Sequence, residues 1–383
     1  MRTINDVDTE RKLEVLLQDV KERSDYKQDF LTSTNNLQFR ANRSAEAGFH
    51  DRSMIIAEAN GGIPTQKLLV NDVCLDQITT DAGLSTKDGR RLSNEYPREY
   101  EKLINAIWDK EPKNKLLRTY EMHTEYNQAR AWLSDKFKVF DHETMVESVY
   151  QPLVESDADW EITSGAVTDM RMYMQFKSRQ AVAEPAVGDV MALGLNISNS
   201  ETGHGSVNIS QMIFTLACLN GMQTGNSLNK VRRPHLGRRN ENDGMLAILQ
   251  ADTIEAQNQA LRYEIRDVMT HMSDKKTFEE AIEKMTTAHE RRIDSPANEA
   301  VERLGQVLNL TKNETKSVLD GLINTLQQPG YAGAIGVSQA TLVNAVTAVQ
   351  HTVVADEKSN WQKLGGKVLE LPRTQWEYIA RAA

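Results

Sequence analysis

Residues 170–179 read Met-Arg-Met-Tyr-Met-Gln-Phe-Lys-Ser-Arg, and their two-residue alternation constrains the fold more than any other segment. Met170, Met172, Met174 and Phe176 fall on one side; Arg171, Tyr173, Gln175, Lys177 and Arg179 fall on the other. Successive side chains of an extended strand point to opposite faces, whereas a helix would scatter these residues around its circumference. The segment is therefore a strand with an apolar inner face and a basic, aromatic outer face exposed to solvent. Residues 189–198 and 206–214 follow as two more apolar runs. Between them lies Asn199-Ser200-Glu201-Thr202-Gly203-His204-Gly205, rich in residues that accept tight-turn geometry. This pattern predicts an antiparallel β core over 166–240.

Charge singles out the same stretch. The chain of 383 residues carries a net charge of -9. Residues 166–240 hold eight basic and four acidic side chains, so the remainder carries -13. From Thr202 to Asn240 there is no carboxylate. Within that gap lie Lys230, Arg232, Arg233, Arg238 and Arg239, interrupted by Pro234 and Gly237, which predicts a loop rather than a helix or central strand. Paired guanidiniums suit phosphate because each donates a planar fork of two hydrogen bonds. Arg171, Tyr173, Lys177 and Arg179 would add phosphate contacts and a ring for base stacking. The competing readings are a solvated loop and an ordinary sheet face, or one covered by the C-terminal helices.

The flanks are read more coarsely. Leu13, Leu16, Leu17 and Val20 recur at helical spacing near the start. A polar stretch reaches residue 50, residues 53–58 form a short strand, and Asn71 or Asp72 caps a helix. Residues 84–97 read as loop, and 99–108 as a helix with Leu103, Ile104 and Ile107 inward. Strands are expected at 116–122 and 128–133, and a helix at 141–150. From Asp243 the pattern is helical almost to the end. Ala247, Ala251, Ile254, Asn258, Leu261, Ile265, Val268 and Met272 keep heptad spacing, more often internal packing than an oligomer seam. Thr311 with Glu314 forms a capping box. Three regions result: a mostly helical 1–110, a β-rich 111–240 with the basic loop, and a helical 241–383. The fold class is α+β, a central antiparallel sheet with flanking helices.

Signatures of chemistry are missing. No phosphate-binding Gly-rich loop, nucleophile elbow or His-Glu-x-x-His pair occurs. His204, Cys218 and His235 match no zinc spacing, so no metal or other cofactor is expected. Glu201, His204 and Asp189 would be the members of an unrecognised hydrolytic site. The two cysteines, Cys74 and Cys218, read as buried thiols of a reducing compartment. Met1 to Lys12 is charged, so no secretory signal is expected, and no apolar run has membrane-spanning length.

Several motifs, in order, resemble a phage- and plasmid-borne group, the domain of unknown function family 932. Arg130-Ala131-Trp132-Leu133-Ser134-Asp135-Lys136-Phe137-Lys138-Val139-Phe140-Asp141 resembles its Leu-Ser-Asp-x-Tyr signature, with Phe137 in place of the tyrosine. Gly188-Asp189 and Asn199-Ser200-Glu201-Thr202-Gly203 resemble its Gly-Asp and Asn-Ser-Glu-x-Gly segments, and Cys218-Leu219-Asn220-Gly221 its Cys-x-Asn-Gly element. Asn344-Ala345-Val346-Thr347 and Leu364-Gly365-Gly366-Lys367 are similar to its C-terminal marks. The resemblance spans 116–371. It implies a cytoplasmic protein of a bacterial or phage-infected cell and brings no catalytic residues with it.

The sequence thus favours a non-enzymatic, homo-oligomeric protein that binds single-stranded DNA in phage recombination or replication, away from membranes. The alternative is an interaction protein that inhibits a host defence factor through its acidic surface.

Overall fold

A computed structural model describes residues 7–41, 53–57, 66–122, 127–216, 220–223, 230–233, 251–272, 275–328 and 336–381. The fold is α+β, but it is built on two six-stranded sheets rather than one.

Helix α1 (Val7–Asp25) comes first, with Leu16 and Val20 buried as the helical spacing requires. Strands β1 (Lys27–Ser33), β2 (Leu37–Arg40), β3 (Met54–Ala57), β4 (Gln66–Val70), β5 (Asn114–Tyr120) and β6 (Asn127–Ser134) form the first sheet, in the order β1-β5-β6-β4-β3-β2. All its pairs are antiparallel except β4 with β6. β1 and β2 lie at opposite edges, yet only a 3-10 turn, Thr34–Asn36, joins them. The sheet must therefore curl until its two edges approach one another.

Between β4 and β5 come α2 (Asp72–Asp81), α3 (Thr86–Glu95) and α4 (Pro97–Lys110). Asn71 caps α2 by accepting the Cys74 N–H. α4 covers the β2 edge with side chains. Asn105 accepts the Phe39 N–H and donates to the Phe39 carbonyl, both at 2.9 Å, as a neighbouring strand would. Glu101 takes the Ala41 N–H. An edge closed in this way offers no template for further strands.

Three expectations fail here. The strand expected at 53–58 is β3, but the first hundred residues contribute three more; of these, β1 and β2 occupy the stretch that reads as featureless because their polar residues face edges and ion pairs rather than alternating cleanly. Residues 84–97 hold α3, whose start is capped by Ser85 accepting from the Asp88 N–H; the helix is mostly exposed, so it has no apolar stripe to betray it. In α4, Ile104 points inward but Leu103 outward, and Tyr100 and Trp108 complete the buried face.

Helix α5 (His142–Glu155) leads to the second sheet: β7 (Trp160–Val167), β8 (Met172–Ala186), β9 (Asp189–Asn199), β10 (Val207–Thr215) and β11 (Asn220–Gln223), in the order β11-β10-β9-β8-β7. The predicted hairpin is β9–β10, paired from Ser198 with Asn208 to Met191 with Thr215. A twelfth strand, β12 (Lys230–Arg233), also pairs with β10. Met172, Met174 and Phe176 lie inward with Leu193, Leu195, Ile197, Val207 and Ile209, packed against Leu16, Val20, Met145 and Val149.

The remaining helices are α6 (Ala251–Met272), α7 (Lys275–Glu290), α8 (Ala297–Leu308), α9 (Lys312–Leu326), α10 (Gln339–Ala348), α11 (Ala355–Leu369) and α12 (Arg373–Ala380). Ile265, Met269 and Met272 of α6 enter the core of the second sheet, so in this part the heptad pattern serves internal packing. α9 starts with the predicted capping box at Thr311 and Glu314. α10 is buried on every side from Gln339 to Thr347 and forms the axis of the C-terminal region. Among the described residues, no helix is long and apolar enough to cross a membrane.

Candidate functional site

Much of the outer row of β8 is covered or paired rather than open to solvent, with Lys177 and Arg179 left partly exposed. Tyr173 is 7 % exposed and donates its hydroxyl proton to Asp356 of α11 at 2.8 Å. Gln175 donates to Asn196 (3.1 Å) and to Gln362 of α11 (3.0 Å). Arg171 is held by the His204 carbonyl. Lys177 and Arg179 share the Glu161 carboxylate at 3.4 and 3.0 Å. The face expected to present phosphate contacts and a stacking ring is thus covered by α11 at one end and neutralised from β7 at the other. Period-2 alternation separates two faces; it cannot tell whether a helix distant in sequence lies over the second one.

Under α11 the cover is an amide layer. Gln362 Oε1 accepts from Gln175 and from Gln223 (3.1 Å), and its Nε2 donates to Gln350 at 2.6 Å. Alongside it, Thr215 donates to Asn344 Oδ1, Asn220 donates to the Asn344 carbonyl, and His351 Nε2 lies 2.9 Å from Asn220 Oδ1. Gly365 lets α11 approach, since a Cβ there would stand 2.3 Å from Thr347 Cγ2. Residues of three separate family-like motifs, Asn220, Asn344 with Thr347, and Gly365, therefore meet at one junction.

The basic segment is not wholly a loop. Lys230–Arg233 is a strand paired antiparallel with Val207–Ser210, with Arg232 opposite Asn208 and Arg233 opposite Val207. Together β11 and β12 take up the side of β10 away from β9, so among the described residues β12 stands at the sheet's edge. Strand geometry tolerates this composition because Pro234 comes only after the last paired residue. Arg238 and Arg239 lie outside the described residues, as do Cys218 and His235. Basic residues on an edge strand also discourage edge-to-edge association, which is the plain structural reading of β12.

The densest charge cluster was not expected. It surrounds the turn between β9 and β10. Glu201, buried, accepts from Arg130 Nη1 of β6 at 2.7 Å and from the His142 N–H at the start of α5 at 2.6 Å. Arg118 of β5, fully buried, donates to the Glu201 carbonyl (2.9 Å), to Asp29 of β1 (2.8 Å) and to Asp141 (2.7 Å). Gln77 of α2 donates to the Thr202 carbonyl. Asn199 donates to the Phe140 carbonyl and lies 3.1 Å from His142 Nδ1. Gly203 turns the chain at φ 77°, with Leu133 so close that a Cβ would stand 2.8 Å from its Cδ2. The turn is the joint by which the second sheet plugs into the first.

Burial pushes the His142 imidazole down to about 4. Burial alone would raise the Glu201 carboxyl, but neighbouring charge and the His142 N–H outweigh it and hold the group well below the usual carboxylate range. At neutral pH the imidazole is uncharged, so Arg130 and Arg118 supply that charge. Arg118 and Arg130 are charged residues inside strands that otherwise read Lys-Leu-Leu-Arg-Thr and Gln-Ala-Arg-Ala-Trp-Leu. That contrast was the signal available in the sequence.

A hydrolytic triad of Asp189, Glu201 and His204 does not assemble. Asp189 begins β9 and Glu201 follows its end, a separation of about 30 Å at strand rise. Asp189 instead lies 2.6 Å from His289 Nε2 of α7. Among the described residues, no three His, Cys, Asp or Glu side chains gather as metal ligands. Cys74 is buried, as expected, and burial pushes its thiol upward.

The model of a family described as "Domain of unknown function (DUF932)" matches residues 131–364, more than half of the chain. The chain belongs to this family. No curated protein and no solved structure matches it. The DUF932 match begins inside β6 and ends inside α11. It therefore contains the second sheet, both ends of the amide layer, and the Asp141, His142 and Glu201 part of the charge cluster, while Arg130 lies one residue before it.

Proposed function

We propose that this protein binds single-stranded nucleic acid, without catalysing a reaction on it, through the basic edge strand β12 and the segment that continues it. The observation that carries this reading is the position of Lys230, Arg232 and Arg233 on an edge strand, in a stretch from Thr202 to Asn240 without a single carboxylate. The basic residues of β8 are committed to Glu161 and to a carbonyl, so they leave the interface; β12 with Arg238 and Arg239 retains it. Such contacts hold phosphates and read no base edges. Their number is small, so a strand is gripped by several copies side by side, which makes the active form a homo-oligomer. In this reading the activity serves phage recombination or replication in the bacterial cytoplasm, and the motif resemblance is what supports that part of it.

The test is anisotropy of a fluorescent single-stranded oligonucleotide titrated at several salt concentrations. Binding that weakens steeply with salt, and is lost when Arg232, Arg233, Arg238 and Arg239 become alanine, supports the reading. No binding at low salt, or binding indifferent to those substitutions, overturns it.

A further inference from the structure

β6 carries one residue more than β5 at its centre. Thr119 pairs with Ala129 and Arg118 with Ala131, leaving Arg130 opposite no residue. Such a bulge re-aims the side chain it carries. Arg130 is turned into the interior, with its guanidinium carbon 4.5 Å from the Tyr120 ring centroid and Nη1 on Glu201. Its side chain is only 4 % exposed. Yet Nε and Nη2 are buried without a hydrogen-bond partner. These two atoms form the side-on fork of a guanidinium, the same pair with which Arg118 grips Asp29.

A buried donor without an acceptor is costly, more so on a charged group, so a fold keeps one where something else supplies the acceptor. We infer that the Nε–Nη2 fork of Arg130 is the receptor for a small oxyanion with two coplanar oxygens, a carboxylate or a phosphodiester. The ring of Tyr120 holds the guanidinium plane, and Glu201 fixes its far end, so the fork is oriented before the ligand arrives. The nearby cations are already matched: Arg23 by Asp19, Lys27 by Asp141, and Arg118 by Asp29 and Asp141. A monoanion therefore leaves less unmatched charge than a dianion. Because both atoms are closed to solvent, the ligand enters by local opening. Apparent affinity is then lowered by the fraction of open molecules. The site is distinct from β12 and does not depend on the nucleic-acid reading.

The experiment is thermal unfolding of the full chain in dimethyl phosphate, in acetate, and in chloride at matched ionic strength. The expected result is a saturable rise in Tm of a few degrees in one of the two oxyanions beyond chloride. Dimethyl phosphate points to a phosphodiester and acetate to a carboxylate. Arg130→Lys, which keeps the charge and loses the fork, removes the rise; Arg266→Lys, at an exposed position, retains it. Should Arg130→Lys fail to fold, the wild-type protein labelled with 15N is titrated instead, and a solvent-protected arginine Nε–H resonance shifts with the same anion. No rise beyond chloride, an undiminished rise in Arg130→Lys, or protected arginine resonances that stay fixed overturns the proposal.

Discussion

The molecule holds two concentrations of arginine that look alike in composition and differ in what surrounds them. Around the β9–β10 turn, Arg118 and Arg130 are buried, and acids from β1, the start of α5 and the turn itself answer them. On the sheet edge, Lys230, Arg232 and Arg233 sit in a stretch without any acid of its own. The first arrangement spends its charge on joining two sheets. The second has no acid within its own stretch of sequence, and on the function proposed above it is the one that meets a partner. A buried ion pair contributes little net stability against an apolar replacement, but removing one member strands the other and is costly. An edge cation can be removed with little effect on folding. The two regions should therefore respond in opposite ways to the same kind of substitution.

The sharpest break is Glu201→Gln, which leaves Arg130 facing a neutral amide in a buried site. We expect a loss of about 3–5 kcal/mol in urea unfolding; a loss below about 1 kcal/mol would show that the joint is not held by charge.

Next is pH. His142 has a folded value of about 4 against an ordinary 6.5, so the folded protein binds fewer protons than the unfolded chain in between. The sign follows: this contribution is fully present above 6.5 and is lost as pH falls toward 4, on the order of 3 kcal/mol in all. The depressed Glu201 carboxyl adds to the loss at still lower pH. His142→Gln should flatten the stability profile between those two values, and an unchanged slope would remove His142 from the account.

Gln362→Leu deprives Gln175 and Gln223 of an acceptor and Gln350 of a donor, at a cost of about 2 kcal/mol in the same unfolding assay. A neutral outcome would mean that the amide layer under α11 is readily rearranged.

The smallest effect belongs to Lys177→Ala with Arg179→Ala. Both are partly exposed partners of one carboxylate, so stability should fall by less than about 1 kcal/mol and oligonucleotide affinity should stay as it was. A large drop in affinity would return the β8 face to the interface.

These contrasts also mark how far the sequence could be read. The inner face of β8 and the β9–β10 hairpin were legible because strand periodicity is local, and Asn71 and Thr311 announced their helices by capping chemistry. The charge cluster was not, because its partners come from afar: Arg118 and Arg130 stand 83 and 71 residues from Glu201. For the same reason Tyr173 read as exposed, its cover lying 183 residues away at Asp356. β12 reads as loop because Pro234 and Gly237 dominate its neighbourhood, while its pairing with β10 depends on tertiary register alone.

On the function proposed above, the edge strand, and not the face of β8, meets nucleic acid. Salt-dependent anisotropy with a single-stranded oligonucleotide compares Arg232→Ala with Arg233→Ala directly against Lys177→Ala with Arg179→Ala. The edge pair is expected to weaken binding and lower the slope of log affinity against log salt by roughly one per phosphate contact removed, while the β8 pair leaves both unchanged. Equal losses from the two pairs, or a loss from the β8 pair alone, would contradict it.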